Sequence, residues 1–159
     1  MVTIRCVCVG KLKESYWQDA CREYVKRLQP FCKFEMIEIP ESRLPNDPSP
    51  GEIQAGLETE GRKLLEVIGN SICVPLCIEG KPTSSVQLAA TMEKWMLGGN
   101  SVISFVIGSS FGLSEVVKTI GAVKLSMSPM TFPHQLARVM LCEQIYRCFQ
   151  ILHNGKYHK

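Results

Sequence analysis

The chain has no apolar run long enough to cross a bilayer, and its first residues lack the basic-then-apolar pattern of a secretory leader. A membrane protein and an exported one are therefore not expected, and the expected compartment is the cytoplasm. Internal repeats and low-complexity tracts are missing as well, and no separate RNA-binding module is appended. Cysteine is not scarce, at eight residues, but it lacks arrangement: there is no CxxC pair and no histidine interleaved at ligand spacing. No metal site is expected. Cys6 and Cys8 project from one face of one strand and Cys142 and Cys148 lie in a helix. They are expected to behave as small apolar residues in a reducing compartment.

Neither sign of charge dominates, with a net charge of +3 and 21% charged residues beside 45% hydrophobic ones. At 159 residues these values suit one domain, residues 1–159, with a sizeable core. The charge is unevenly divided. From Val116 onward six basic residues (Lys118, Lys124, Arg138, Arg147, Lys156 and Lys159) meet one acid, Glu143, which gives +5 there and −2 in front. A polyanionic partner would use such an end; a solvated basic face is the competing explanation.

Strands and helices alternate along the chain. VTIRCVCV (Val2 to Val9), KFEMIEI (Lys33 to Ile39), SICVPLCI (Ser71 to Ile78), VISFVI (Val102 to Ile107) and GAVKLS (Gly121 to Ser126) have strand character. Pro75 belongs at an edge, a bulge or near a strand's end, and Glu79 to Pro82 is expected to turn. Between the strands, helical spacing puts Trp17, Cys21, Tyr24 and Leu28 on one face, then Ile53, Leu57, Leu64, Leu65 and Ile68 in a helix from Glu52, where Gly56 and Gly61 permit close packing. Ser84 or Ser85 caps a helix bearing Val86, Ala89, Met92 and Met96. The last helix, Gln135 to Leu152, is apolar at Leu136, Val139, Met140, Ile145, Phe149 and Leu152. The pattern predicts an α/β domain with a mainly parallel sheet of about five strands and helices on both faces.

The most informative stretch is VISFVIGSSFGLSEVVKTIGAVKLSMSPMTFPHQ, Val102 to Gln135. A strand buried on both faces stops at Gly108, a glycine turn follows, and Ser114 can cap the next helix. Strand, glycine turn and helix start form a common ligand site, although most such turns only reverse the chain. The second loop, Pro129 to Gln135, is rigid and apolar. Met127, Met130 and Phe132 offer a soft lining suited to an adenine ring, or else the loop simply packs into the core.

IGSSFGL, SMSPMTFPHQLARVMLCEQIYR and the terminal KYHK, together with VCVGKLKESYW and EYVKRL near the start, resemble the SPOUT-class ribosomal RNA large subunit methyltransferase H family. The likeness spans the whole chain. It implies a SPOUT-type α/β fold with a C-terminal trefoil knot from about Val102, an arrangement that general topology rules disfavour. It also implies methylation of the ring nitrogen at position 3 of a pseudouridine in large-subunit ribosomal RNA, on the assembled ribosome. The implied methyl donor is S-adenosyl-L-methionine, contacted by Leu76, Gly108, Met127, Ser128, Pro129, Met130, Thr131 and Phe132. The implied assembly is a homodimer whose pocket is completed by the second subunit. Ser109 stands where the family usually has a second glycine; its side chain could narrow the cofactor's approach or supply a hydrogen bond.

Methyl transfer from a sulfonium needs positioning and exclusion of water rather than a metal. The acceptor nitrogen must lose a proton, and His134, His153 and His158 are the histidines that titrate in range. His158 is preferred as base, since the tail Tyr157-His158-Lys159 can order on RNA, with Tyr157 stacking and Lys159 meeting phosphate; a frayed terminus is the bland alternative. Arg138, Arg147 and Lys156 are further phosphate contacts. The rival function is a non-catalytic α/β nucleotide-binding module or ribosome-associated interaction protein.

Overall fold

The computed structural model describes Met1–Lys159 throughout. In chain order the elements are β1 (Thr3–Val9), α1 (Ser15–Leu28), β2 (Lys33–Ile39), α2 (Pro50–Ile68), β3 (Ile72–Pro82), α3 (Ser85–Leu97), β4 (Val102–Ile107), α4 (Glu115–Thr119), β5 (Leu125–Ser126) and α5 (His134–Leu152). The five strands are parallel, in the order β2-β1-β4-β3-β5. No helix is long and apolar enough to cross a membrane.

The period of two along each strand divides the core into two layers. Ile4, Cys6 and Cys8 of β1 and Ile103, Phe105 and Ile107 of β4 face Leu28 of α1, Leu88 and Met92 of α3, and Leu141, Ile145 and Phe149 of α5. Val7, Val9, Ile39, Cys73 and Val106 point the other way, onto Leu64 and Ile68 of α2 and Val117 of α4. Helices thus cover both faces, as expected. Gly61 lets α2 approach α4 closely: a methyl there would sit 3.0 Å from the Ser114 Cβ. Ser49 opens α2 with a capping box shared with Glu52, so the helix starts at Pro50, ahead of the expected Glu52.

Several expectations are corrected. Glu79 to Pro82 does not turn; it continues β3. Pro75 ends the ladder with β4 opposite Val106, having no N–H to donate, and β3 then takes β5 as its neighbour at Leu76 and again at Lys81. Gly80 lets the Lys124 carbonyl come close enough to accept from the Lys81 N–H at 2.8 Å. The fifth strand shrinks to Leu125–Ser126, because Gly121 lies against the Pro75 ring and Ala122 donates to Cys73 outside any regular ladder. Ser84 caps α3, but Val86 is exposed and Leu88 is buried in its place. On α5 the fully buried side chains are Arg138, Leu141, Cys142, Ile145, Cys148 and Phe149, whereas Leu136, Val139, Met140 and Leu152 are only half-buried.

All eight cysteines are buried free thiols. Burial pushes Cys32 and Cys148 up to about 12 and Cys73 up to about 11, so these remain neutral and pack as apolar groups. Cys142 is the exception. Hydrogen bonds from Cys21 and Cys6 hold it below the usual thiol value, and the nearby Arg138 charge acts in the same direction.

Arg138 overturns its assignment as an RNA contact. It is 1% exposed, and its guanidinium donates to Glu38 Oε2 at 2.6 Å and to the Gly10 carbonyl at 3.1 Å. The same Glu38 oxygen accepts from the Leu12 N–H at 3.0 Å. Arg138 therefore ties α5 to the ends of β1 and β2 and cannot reach a phosphate. Glu38→Gln leaves that charge buried without a counter-ion and is expected to cost about 3 kcal/mol in urea unfolding. A loss below about 1 kcal/mol would mean that water reaches the guanidinium and solvates it.

Candidate functional site

A cleft of about 700 Å³ opens where β4 and β5 end, beside the stretch of β3 that follows Pro75. This is within the range of small-molecule sites, and the position at the carboxyl ends of parallel strands is the usual one for ligands in α/β sheets. Three walls form it. The first is Leu76 to Glu79 on β3, available because β3 leaves β4 at Pro75. The second is Ile107 and the turn Gly108 to Leu113, and the third is the loop from Met127 to His134 with Ala137 behind it.

The glycine turn folds back on itself. A side chain at Gly108 would strike the Gly112 backbone, Gly112 has φ +94°, and its N–H donates to the Ser109 carbonyl at 2.9 Å. The Ser109 hydroxyl accepts from the Phe111 N–H at 3.3 Å, so it holds the turn's own backbone. Ser114 then caps α4 by accepting from the Val117 N–H. In the other loop, the Ser128 hydroxyl accepts from the Met130 N–H at 3.0 Å and the Ser126 hydroxyl donates to the Ser128 carbonyl at 3.2 Å. These bonds turn Met127, Thr131 and Phe132 toward one space.

Seven of the eight expected cofactor contacts, Leu76, Gly108, Met127, Ser128, Met130, Thr131 and Phe132, line this cleft, and Pro129 does not. His134 also lines it. Phe111 and Met130 stand exposed at its mouth. Its charged groups are Glu79 and Lys118, paired at 2.7 Å. Each partner stabilises the other's charge through that hydrogen bond, so Glu79 is held below the usual carboxylate value and Lys118 above the usual amine value.

Tyr157 and His158 are elsewhere in the subunit. The tail is docked on α5: Tyr157 donates to Glu143 at 3.0 Å, its ring meets Tyr146 edge-on at 4.8 Å, and Arg147 lies over it at 4.7 Å. Glu143 lies nine residues beyond His134, about 13 Å along the helix. A second hollow of about 480 Å³, reaching from Glu143 and Tyr24 to Leu125 and Met127, connects this region to the cleft's edge.

The tail's chemistry follows from its partners. Burial, then the Glu143 hydrogen bond, pushes Tyr157 up to about 12, so it is a neutral donor at physiological pH. Arg147 contacts His158 Nδ1 at 3.1 Å. A guanidinium offers only donors, so Nδ1 contributes a lone pair and the ring proton sits on Nε2. In this subunit Arg147 therefore occupies His158 Nδ1 and leaves Nε2 without a hydrogen-bond partner. Arg147 is itself committed to Glu143, whereas Lys156, Lys159 and Lys124 are exposed and form no ion pair.

Sequence reasoning overlooked the Glu143–Arg147 pair, although its i,i+4 spacing was a usable signal. It also overlooked Glu79 and Lys118, which are 39 residues apart and gave none.

The chain matches the family model described as "Predicted SPOUT methyltransferase" over residues 2–158. It is 46% identical over 159 residues to the ribosomal RNA large subunit methyltransferase H of Clostridium acetobutylicum, covering 99% of this chain and 100% of that one. It is 43% identical over 157 residues to the protein of the same name from Streptococcus mutans, covering 98% and 99%. Among solved structures it is similar to a probable methyltransferase from Bordetella pertussis, with TM-score 0.59, 13% identity, and coverage of 92% and 94%. It is also similar to the tRNA (m1G37) methyltransferase of Aquifex aeolicus, with TM-score 0.53, 16% identity, and coverage of 91% and 69%.

Glu143 is the acceptor common to Tyr157 and Arg147. Glu143→Gln should loosen the tail: amide exchange over residues 155–159 speeds up, while global stability changes by about 1 kcal/mol or less. Unchanged exchange would assign the docking to ring stacking alone.

Proposed function

This chain belongs to the ribosomal RNA large subunit methyltransferase H family of SPOUT methyltransferases, and from that premise we propose a specific reaction for it. The protein is an S-adenosylmethionine-dependent ribosomal RNA methyltransferase; the acceptor we assign is the ring nitrogen at position 3 of a pseudouridine, modified on the assembled ribosome. The proposal includes a single domain over residues 1–159 with the C-terminal knot, a homodimer, and a cytoplasmic setting.

The observation that most supports this reading is the gathering of Leu76, Gly108 and the Met127–Phe132 loop around one cleft. The cleft's volume and mixed apolar lining fit an adenosine with a short amino-acid arm. When bound there, S-adenosylmethionine supplies a methyl group activated by a sulfonium. Leu76, Phe132 and the backbone of the loop would hold its adenosine part, and Phe111 and Met130 would help exclude water at the mouth. Because Tyr157 and His158 lie off the cleft of their own subunit, a partner's tail completes it. His158 donates through Nε2 to a carbonyl oxygen of the nucleobase, where negative charge grows as the ring nitrogen loses its proton. His134, whose side chain lines the cleft, accepts that proton. Lys156 and Lys159 meet phosphates; Arg147 contributes by holding His158.

Labelled S-adenosylmethionine incubated with ribosomes lacking the modification should leave label in large-subunit RNA at a pseudouridine; no label there would overturn the assignment. Deleting Tyr157 to Lys159 should lower turnover by at least about a hundredfold while calorimetric binding of S-adenosylhomocysteine is retained.

A further inference from the structure

The Glu79–Lys118 pair is unusual in its setting. Its Nζ–Oε1 distance is 2.7 Å, and it lines a cleft whose remaining residues are apolar or neutral apart from His134. Lys118 is the inner member, with 18% of its side chain exposed, and Glu79 the outer, with 57%. A partly exposed ion pair contributes little to stability, and here β3 and α4 already have Pro75, Gly121 and Ala122 between them to fix their spacing. The pair thus has little to do for the fold, yet it lines the cleft.

S-Adenosylmethionine ends in an α-amino acid, with an ammonium and a carboxylate on one carbon. In an apolar cleft both charges need opposite partners, and the cleft's charged side chains are one of each sign, held side by side. We propose that Lys118 and Glu79 form the subsite for this zwitterion, Lys118 receiving the carboxylate and Glu79 the ammonium. In the free protein the two side chains satisfy each other; with ligand present they form an alternating array of four charges. Lys118 also has Glu115 at 3.8 Å, which keeps its charge balanced when Glu79 turns to the ligand. This assignment rests on the reading of the cleft as the cofactor site, and it adds the residues that distinguish the whole cofactor from its nucleoside part.

The test compares two ligands by calorimetry: S-adenosylhomocysteine, which carries the amino-acid end, and 5′-methylthioadenosine, which lacks it. The unaltered protein should prefer S-adenosylhomocysteine by about tenfold or more, the value of one or two charge-assisted hydrogen bonds. Glu79→Gln and Lys118→Met should each erase most of that preference and leave methylthioadenosine affinity within about twofold, which also reports that the cleft is folded. The exchanged double variant, Glu79→Lys with Lys118→Glu, keeps an ion pair between β3 and α4 but inverts its polarity. It should not restore the preference; restoration would make the pair a structural fastener and overturn the proposal. A preference unchanged in the single variants, or both affinities falling together, would overturn it too. If neither ligand binds the unaltered protein, the cofactor reading itself fails, and that result differs from a preference that survives substitution.

Discussion

The constraint on which the rest depends is a guanidinium buried under a sheet. Arg138 sits on the first turns of α5, donates to Glu38 at the end of β2 and to the carbonyl of Gly10 at the end of β1, and has almost no contact with solvent. A charge in that position is tolerable only while both acceptors are present. The helix therefore has one depth and one rotation against the sheet. Every functional feature of α5 inherits that setting: His134 at the cleft, Ala137 at its back, and Glu143 with Arg147 two to three turns further on.

The cleft has a second physical origin, in a strand that changes neighbours. Proline cannot extend a ladder, so β3 leaves β4 at Pro75, and the strand continues to Pro82 beside the short β5. The divergence opens the sheet at its carboxyl end. Two loops tied by their own serines, Ser109 in one and Ser126 with Ser128 in the other, then line the gap without closing it. The Ser109 hydroxyl is turned to the Phe111 N–H, so this side chain serves the turn itself.

The tail illustrates how one acid can organise a basic segment. Of the six basic residues after Val116, Arg138, Arg147 and Lys118 are engaged with carboxylates, which leaves Lys124, Lys156 and Lys159 free for a polyanion. The net charge of that segment thus overstates what an RNA would encounter. Glu143 uses its single charge twice, on Arg147 and on the Tyr157 hydroxyl, and Arg147 in turn sets the tautomer of His158. A tail docked in this way presents donors.

Periodicity and turn chemistry were enough to give the alternating α/β order, the bounds of β2 and β4 and the Ser114 cap, and to narrow the α3 cap to Ser84 or Ser85, since these depend on neighbours within a few residues. The TFPH loop and glycine turn could likewise be singled out, because proline and glycine restrict or free the backbone whatever surrounds them. Long-range pairing could not be read this way. Arg138 looked like a surface cation until Glu38, a hundred residues earlier, was seen beside it, and Val86 looked like a core residue until Leu88 took its place. The continuation of β3 past Glu79 depended on a carbonyl at Lys124. Local sequence therefore determined which segments form and where they bend. The tertiary structure decided which charges are buried, which are paired and which remain available to a ligand, because Coulombic and desolvation energies depend on distance in space rather than separation along the chain.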